Sequence, residues 1–178
     1  MRKDFIFPSQ KQRFANIHDV DALVHLVNGA YRGDGSREGW TTEADLLDGI
    51  RTHPEHMAKQ IDSDQSVMVV HTEFDIISAC VYLEDKESML YLGMLTVRPD
   101  LQARGIGKQL LQTAEAYALF LGKQGIKMTV ISLRNELIDW YMRHGYVPSG
   151  ESEPFPVGQA LGIPRLPLEF MVLEKKIG

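Results

Sequence analysis

The sequence predicts a mixed α/β or α+β fold, and three patterns indicate this class. Two runs of alternating apolar residues, at 67–71 and 76–83, predict a hairpin of two strands. A nearly continuous apolar run at 90–97 predicts a strand covered on both faces. Between Gly105 and Leu121, apolar residues recur at helical spacing and predict a long amphipathic helix. Strands and helices in this order are typical of one sheet with helices packed on it.

Further elements are predicted on both sides of this region. In chain order they are a strand at 13–17, a helix from Asp19 or Asp21 to about Tyr31, a second helix from Thr42, a strand at 126–132, a helix at 136–144 and a strand at 168–174. The prediction of the second helix is based on the capping-box spacing from Thr42 to Asp45. Residues 148–167 are rich in proline and glycine and are predicted to be a loop.

Length and charge restrict the class of protein. A chain of 178 residues, 44% of them hydrophobic, suits a single domain spanning 1–178. The net charge of -5 argues against nucleic acid or an anionic membrane as a partner, and no apolar run reaches the roughly 20 residues of a membrane span. The single cysteine, Cys80, suits a reducing compartment, so a cytoplasmic location is expected. We interpret Cys80 as a buried small hydrophobe, because it lies in an apolar strand without an evident base partner.

A glycine-rich turn, Gln102-Ala103-Arg104-Gly105-Ile106-Gly107, joins the strand at 90–97 to the long helix. Glycine lets an anion approach the backbone N–H groups closely, and the helix dipole favours negative charge at this end. Arg104 and Lys108 add positive charge beside the turn. The pattern suits a diphosphate, and it matches neither the Walker loop nor the three-glycine dinucleotide fingerprint.

Two motifs resemble those of the GNAT (Gcn5-related N-acetyltransferase) superfamily. The turn is similar to the family pattern Gln/Arg-x-x-Arg/Lys-Gly-x-Gly/Ala between a strand and a helix. Asn135 after a strand, followed by Tyr141-Met142-Arg143-His144-Gly145-Tyr146, resembles the second family motif. The resemblance extends over the order of elements from about 13 to 174. It implies the GNAT acyl-CoA N-acyltransferase fold: a mostly antiparallel twisted sheet, splayed at its middle strands and flanked by helices.

The resemblance implies acetyl-CoA as the cofactor. Its pantetheine arm would pair with the backbone of the splayed strand beside a bulge, and the amides of 104–108 would bind the pyrophosphate. Asn135 would bind the pantetheine arm, although a helix N-cap is an equal interpretation of this residue. The residues so implied are Leu95, Thr96, Val97, Gln102, Ala103, Arg104, Gly105, Ile106, Gly107, Lys108, Asn135 and Tyr141.

The implied reaction is direct attack of an amine on the acetyl thioester in a ternary complex. Tyr141 is the predicted general acid, with a core aromatic as the alternative, and a backbone N–H at the bulge would stabilise the oxyanion. Histone-acetylating relatives carry a glutamate at the position of Tyr91, so the general base of this chain is not identified by the resemblance. Glu84, Glu43 and a water relay are the candidates. A catalytically idle acyl-CoA sensor of the same fold therefore stays an alternative.

The acceptor is predicted to be the amine of a small molecule or peptide. Tyr31, Trp40 and Glu43 surround the glycine-rich stretch at 33–39 and are candidates for its pocket, while packing is an equal role for the two aromatic residues. Acidic residues, namely Glu43, Glu84, Asp85, Glu151 and Glu153, favour a cationic acceptor. A homodimer is compatible with the resemblance. No metal is expected, because a proline interrupts the helix on which the fragment His53-Pro54-Glu55-His56 would lie.

Overall fold

A computed structural model describes residues 2–32, 34–156, 158 and 161–178. The strands of the described residues are, in chain order, β1 Gln12–Phe14, β2 Leu47–Asp48, β3 Ser66–Glu73, β4 Ile76–Lys86, β5 Met89–Val97, β6 Gly125–Ile131, β7 Val147–Pro154, β8 Ile163–Pro164 and β9 Glu169–Lys176. The α-helices of the same residues are α1 Val20–Tyr31, α2 Pro54–Asp62, α3 Ile106–Phe120 and α4 Asn135–Arg143. Within the described ranges, every helix is too short or too polar to cross a lipid bilayer.

Seven strands form the central sheet, in the order β1-β3-β4-β5-β6-β9-β7. Neighbours are antiparallel except β5 and β6, which run parallel. Helices α1 and α2 cover one face through a buried cluster that contains Leu23, Met57 and Cys80. Helices α3 and α4 cover the other face through a cluster that contains Leu110 and Tyr141. The predicted mixed fold, with a mostly antiparallel sheet flanked by helices, is confirmed.

The sheet opens between β5 and β6. These two strands pair only over Met89–Tyr91 of β5, whereas β6 continues to pair with β9 as far as Ile131. A bulge in β5 lies where the opening begins: Cys80 faces Thr96, but Tyr82 faces Gly93, and Met94 between them adopts φ +51°. Because a bulge increases the local twist of its strand, β5 turns away from β6 beyond this point. The predicted splay is confirmed.

The helix predicted from Thr42 is wrong. After Thr42 the chain turns and forms the short strand β2, which pairs with β8. Gly49 follows at φ +85°, a conformation that a regular right-handed helix does not contain. The helix begins later, at Pro54. Proline is favourable at the first helical position, because the N–H group that it lacks would have no intrahelical partner there. The proline in the 53–56 fragment therefore starts a helix and does not interrupt one.

The loop predicted at 148–167 is also wrong in part. Residues of this stretch form β7, which pairs with β9 at the edge of the sheet, and β8. An edge strand tolerates Pro148 and Pro154, because one side of its backbone needs no ladder hydrogen bonds. A register shift between Pro148 and Ser152, with Gly150 at φ +88°, interrupts the strand pattern in the sequence. Alternation of apolar residues could not reveal this strand, because all of its residues are exposed.

Candidate functional site

A cleft of about 390 Å³, here called the turn cleft, lies between the open half of β5, the start of α3 and the C-terminal half of α4. Leu95 and Val97 line it from β5, Trp140 and Tyr141 line it from α4, and His144 lines it from the residue after α4. The glycine turn closes it from the third side. The tertiary structure thus brings the two sequence motifs together around one space.

The turn points unpaired backbone N–H groups at this cleft. Gly105 is the residue before α3, with φ +82°, and the first backbone bond of the helix joins Gln109 N–H to the Gly105 carbonyl at 3.0 Å. The N–H groups of Ile106, Gly107 and Lys108 have no backbone acceptor in the described part of the chain. The arrangement is that of an anion-binding helix N-terminus.

The two glycines of the turn differ in their backbone conformation and surroundings. A Cβ on Gly105 would meet no atom within 4 Å, so only the left-handed φ favours glycine there. A Cβ on Gly107 would lie 3.4 Å from Cζ2 of Trp140 and 3.7 Å from Cγ2 of Val97. These distances are ordinary van der Waals contacts, so the Trp140 ring packs against Gly107 without a steric requirement for glycine.

Gln102 connects the turn to the 34–40 segment. Its Nε2 donates a hydrogen bond to the Val97 carbonyl at 3.1 Å, and its Oε1 accepts one from the Trp40 backbone N–H at 3.0 Å. A Cβ on Gly39 would lie 2.5 Å from this Oε1, so the close approach depends on glycine. Trp40 consequently lies 6.3 Å from Trp140, between ring centroids, and lines the turn cleft instead of the predicted acceptor pocket.

Most residues predicted to bind the cofactor line the turn cleft, but three do not. The lining includes Leu95, Val97, Gln102, Ala103, Gly105, Ile106, Gly107, Lys108 and Tyr141. Thr96 is buried and its hydroxyl donates to the Met94 carbonyl at 2.9 Å. Arg104 and Asn135 are exposed and lie outside the lining. The N-cap interpretation of Asn135 is wrong, since Arg134 holds the cap position and Asn135 is the first helical residue.

A second cavity of about 340 Å³, here called the inner cavity, lies between α1, α2 and the open ends of β5 and β6. Tyr31, Tyr82 and Tyr91 form part of its wall, and Phe155 and Phe170 form another. It shares Leu95, Leu137 and Tyr141 with the turn cleft. The two spaces therefore meet beside Tyr141, at the level of the β5 bulge.

Tyr141 is buried at this junction. Its ring centroid lies 5.1 Å from that of Trp140 and 5.9 Å from that of Tyr146. Burial raises the pKa of its hydroxyl well above the usual tyrosine value. The group therefore stays protonated at neutral and mildly alkaline pH.

Tyr31 lines the inner cavity, as predicted for an acceptor residue. Its hydroxyl donates a hydrogen bond to the Leu95 carbonyl at 3.1 Å. A carbonyl oxygen has two lone pairs, so this bond leaves one acceptor position on Leu95. The guanidinium carbons of Arg51 and Arg134 lie 5.5 Å and 5.9 Å from the Tyr31 ring centroid, within the range of cation–π attraction.

Glu43 is held in a buried network of ion pairs. Its Oε2 accepts from Arg32 Nη2 at 3.0 Å, and its Oε1 accepts from Arg134 Nη1 at 3.0 Å. All three side chains are buried. Glu43 lines the inner cavity as predicted, but both of its oxygens are engaged, so it is poorly placed to act as a base or to bind a cationic acceptor.

The other acidic residues do not create a negative pocket either. Glu84 forms an ion pair with Lys86 at 2.8 Å and lines neither space, so the structure does not support it as the base. Asp85 pairs with Lys123, and Glu151 pairs with Lys127 at 3.0 Å. Only Glu153 of this predicted group joins Glu43 in the cavity lining, and it is exposed. These contacts do not support the charge argument for a cationic acceptor.

Three arginines of the inner cavity, Arg32, Arg51 and Arg134, were not singled out from the sequence, and His56, which was considered only as part of a metal-like fragment, lines the cavity with them. Burial, followed by the charges of Arg51 and Lys59, lowers the pKa of His56, so its imidazole is neutral at pH 7. Their spacing in the sequence matches no motif, and distant segments bring them together. Arg134 directly precedes the motif residue Asn135, and this position next to a motif is the local signal that could have indicated a residue of the site.

The bulged, splayed sheet and the glycine turn define the chain as a GNAT-type fold. Residues 63–148 match the family model described as Acetyltransferase (GNAT) domain. The matched region contains both motifs, and the match confirms the resemblance drawn from them. No curated protein matches the sequence significantly.

Solved structures share this fold at low sequence identity. The ribosomal-protein-S18-alanine N-acetyltransferase from Escherichia coli has a TM-score of 0.70 and 14% identity, covering 94% of this chain and 93% of that chain. The PaiA N-acetyltransferase from Thermoplasma acidophilum, in complex with coenzyme A, has a TM-score of 0.69 and 18% identity, with 93% and 97% covered. YncA from Salmonella typhimurium, solved with its cofactor acetyl-CoA, has a TM-score of 0.67 and 17% identity, with 94% and 93% covered. At these identities the likeness shows the fold.

Proposed function

We propose that this protein is an acetyl-CoA-dependent N-acetyltransferase that acts on the amine of a small molecule or peptide. The observation that carries the proposal is the meeting of the turn cleft and the inner cavity beside Tyr141. One space suits a diphosphate-containing donor and the other an acceptor, and a buried proton donor lies between them. Similar folds have been solved with coenzyme A and with acetyl-CoA.

The residues of the turn cleft fit the donor molecule. The free N–H groups of Ile106, Gly107 and Lys108 would bind the diphosphate, and the Lys108 charge would favour it. The backbone of Leu95 and Val97 would bind the pantetheine arm along the unpaired side of β5. When bound, acetyl-CoA supplies an acetyl thioester for attack by the amine.

Tyr141 would protonate the departing sulfur, because its hydroxyl lies at the junction and keeps its proton when buried. A backbone N–H beside the β5 bulge would stabilise the negative oxygen that develops. The proton of the amine would pass through water to neutral His56 or to Glu153, the groups of the cavity lining that are free to accept it. Glu43 would not take this role, because two arginines hold it.

The test is an assay of the purified chain with acetyl-CoA and pooled amines: amino acids, polyamines, aminoglycosides and short peptides. We expect release of free thiol together with an acetylated product detected by mass spectrometry. Coenzyme A affinity is measured in parallel by calorimetry. Binding of coenzyme A without turnover in any pool would contradict the proposal and favour the acyl-CoA sensor. Failure to bind coenzyme A would exclude both.

A further inference from the structure

The inner cavity carries an excess of positive charge, in a protein whose net charge is -5. Arg32, Arg51 and Arg134 line it, against Glu43 and Glu153. The single charge of Glu43 is shared between two buried arginines, and Glu153 is exposed to solvent. The enclosed part of the cavity is therefore electropositive, whereas the charge of the chain as a whole is negative.

Among the described residues that line the inner cavity, Arg51 is the arginine whose charge has no partner. It is half-buried, and among the described residues it makes no ion pair or side-chain hydrogen bond. Its guanidinium lies against the face of Tyr31. The ring limits the directions in which Arg51 can extend, and its charge faces the cavity in a place less screened than the open surface.

A second donor belongs to the lining of the same cavity. The Nε atom of Arg134 is buried without a hydrogen-bond partner, although the terminal nitrogens of the same side chain bind Glu43 and Thr41. Buried donors normally have an acceptor, so a ligand that supplies an oxygen would complete this group. Gln60 Oε1 is a buried acceptor without a partner in the same lining.

The size of the cavity limits what can enter it. A volume of about 340 Å³ lies at the small end of ligand pockets, and the walls are largely aromatic and aliphatic. Phe155 and Phe170, whose ring centroids are 5.2 Å apart, form one wall beside the end of β7. Such a space suits a compact molecule with an apolar body better than an extended peptide or a polyamine.

We propose that the acceptor is a small amine that carries an anionic group, a carboxylate or a phosphonate, bound by Arg51 and by Arg134 Nε. This inference rests on the proposed acetyl transfer and names the substrate class of the same site. Arg51 is a specificity-determining residue in this scheme, because it binds the anion and not the reacting atoms. Arg32 is excluded from this role, since Glu43 and the Leu161 carbonyl engage its guanidinium.

The experiment compares matched acceptors with acetyl-CoA as the donor. The panel contains the common L-amino acids, the corresponding amino acid amides, which lack the negative charge, aminoalkyl phosphonates, spermidine and a short peptide. A charge-assisted contact predicts that the best acid has a kcat/KM about 10- to 100-fold above that of its own amide. Amides or polyamines used as well as the acids would overturn the proposal.

Variants test whether Arg51 is the source of the preference. Arg51→Gln should raise KM for the acid about 10-fold or more and reduce the acid-to-amide ratio to about 3 or less, with unchanged coenzyme A affinity. Arg51→Lys should retain much of the ratio, because it keeps the charge. Arg13→Gln is the matched control. Arg13 is an exposed residue of the edge strand β1 that pairs with Asp19, so its replacement should leave the acid-to-amide ratio unchanged. If the preference for the acid survives in Arg51→Gln, other residues must be its source, and the proposed role of Arg51 is overturned.

A separate measurement keeps this inference distinct from the proposed function. If no amine is acetylated, the transferase proposal fails, and binding of the same acids and amides to the coenzyme A-loaded protein is measured by calorimetry. Acid binding that Arg51→Gln weakens about 10-fold would still support an anion site in the inner cavity. Equal binding of acid and amide, or no binding of either, would overturn it. A thermal melt of each variant checks that the fold is retained.

Discussion

Gly105 shows how one backbone angle can control a binding site. Its φ of +82° turns the chain so that the next N–H groups face the turn cleft, and a Cβ there would meet no neighbouring atom. We expect Gly105→Val to weaken coenzyme A binding at least about 10-fold, because a side chain in the left-handed region costs about 1–2 kcal/mol and shifts the turn. Calorimetric titration with coenzyme A measures the effect.

Gly122 offers a matched control for this change. It lies just beyond the other end of α3, with φ +69° and equally open space around its Cβ position. Gly122→Val should cost similar stability but leave coenzyme A affinity unchanged. An equal loss of affinity in both variants would mean that general destabilisation explains the result.

Tyr141 has a predicted chemical role that can be separated from its packing role. Tyr141→Phe removes only the hydroxyl, so we expect kcat to fall about 100-fold or more while coenzyme A affinity stays nearly constant. Because burial raises the pKa of this hydroxyl, the wild-type rate should not decline through loss of its proton up to about pH 10. Turnover measured as thiol release across this pH range checks both statements.

Tyr146→Phe is the control for Tyr141→Phe. Tyr146 is also buried, and its hydroxyl donates to Glu115 at 3.3 Å, outside both cavity linings. It should change stability and leave kcat within about twofold. A Tyr141→Phe enzyme as active as the control would remove the hydroxyl from the mechanism.

At the scale of elements, Glu43 connects three segments that form the wall of the inner cavity. Glu43 lies in the segment before β2. Its carboxylate pairs with Arg32, the residue after α1, and with Arg134, the residue before α4. Glu43→Gln would leave two buried guanidinium groups without a counter-charge, so we expect a loss of about 3–5 kcal/mol in the free energy of unfolding. Urea unfolding measures it.

Asp45→Asn is the comparison for this change. Asp45 pairs with Arg37 at 2.7 Å on the exposed surface, two residues from Glu43. Exposed pairs contribute little, so this variant should lose less than about 1 kcal/mol. Similar losses for the two variants would show that the buried network is not the main source of stability in this segment.

The elements differ in how well local patterns predicted them. Helix α3 and strand β5 bury regular stripes of apolar residues, so their periodicity is visible in the sequence. Strand β7 is exposed along its length, and its pairing depends on β9, which lies later in the chain. Helix α2 begins at a proline that also resembles a helix breaker. Elements that rely on distant partners leave little local signal.

At the scale of the whole molecule, several buried tyrosines make stability depend on alkaline pH. Burial raises the pKa of Tyr31, Tyr141 and Tyr146 in the folded state. The unfolded chain releases these protons near pH 10, where the folded chain still holds them. Their effect on stability is therefore constant below about pH 10 and is lost progressively above it.

We expect the urea midpoint to be steady between about pH 8 and 9 and to fall between about pH 10 and 11. The urea midpoint of Tyr146→Phe should fall less steeply over the alkaline interval, because this variant lacks one tyrosine whose pKa is raised by folding. A midpoint that stays constant to pH 11, or an equal slope in the variant, would contradict this account.

The sequence by itself determined the fold class, the glycine turn and the family motifs. These features are local: a turn, a helix start or an apolar stripe needs only neighbouring residues to be recognised. Tyr141 and the bulged strand β5 followed from the resemblance, because their motifs have fixed spacing. The donor half of the candidate site was therefore largely predictable.

Only the tertiary structure decided the electrostatics of the acceptor half. Arg32, Arg51 and Arg134 lie far apart in the chain, and they reach one cavity because α1, the segment before α2 and the start of α4 converge on the open end of β5. Glu43, which looked like a free carboxylate, became the shared partner of two arginines. Ion pairing depends on distances of a few ångströms between side chains, and sequence spacing does not contain them.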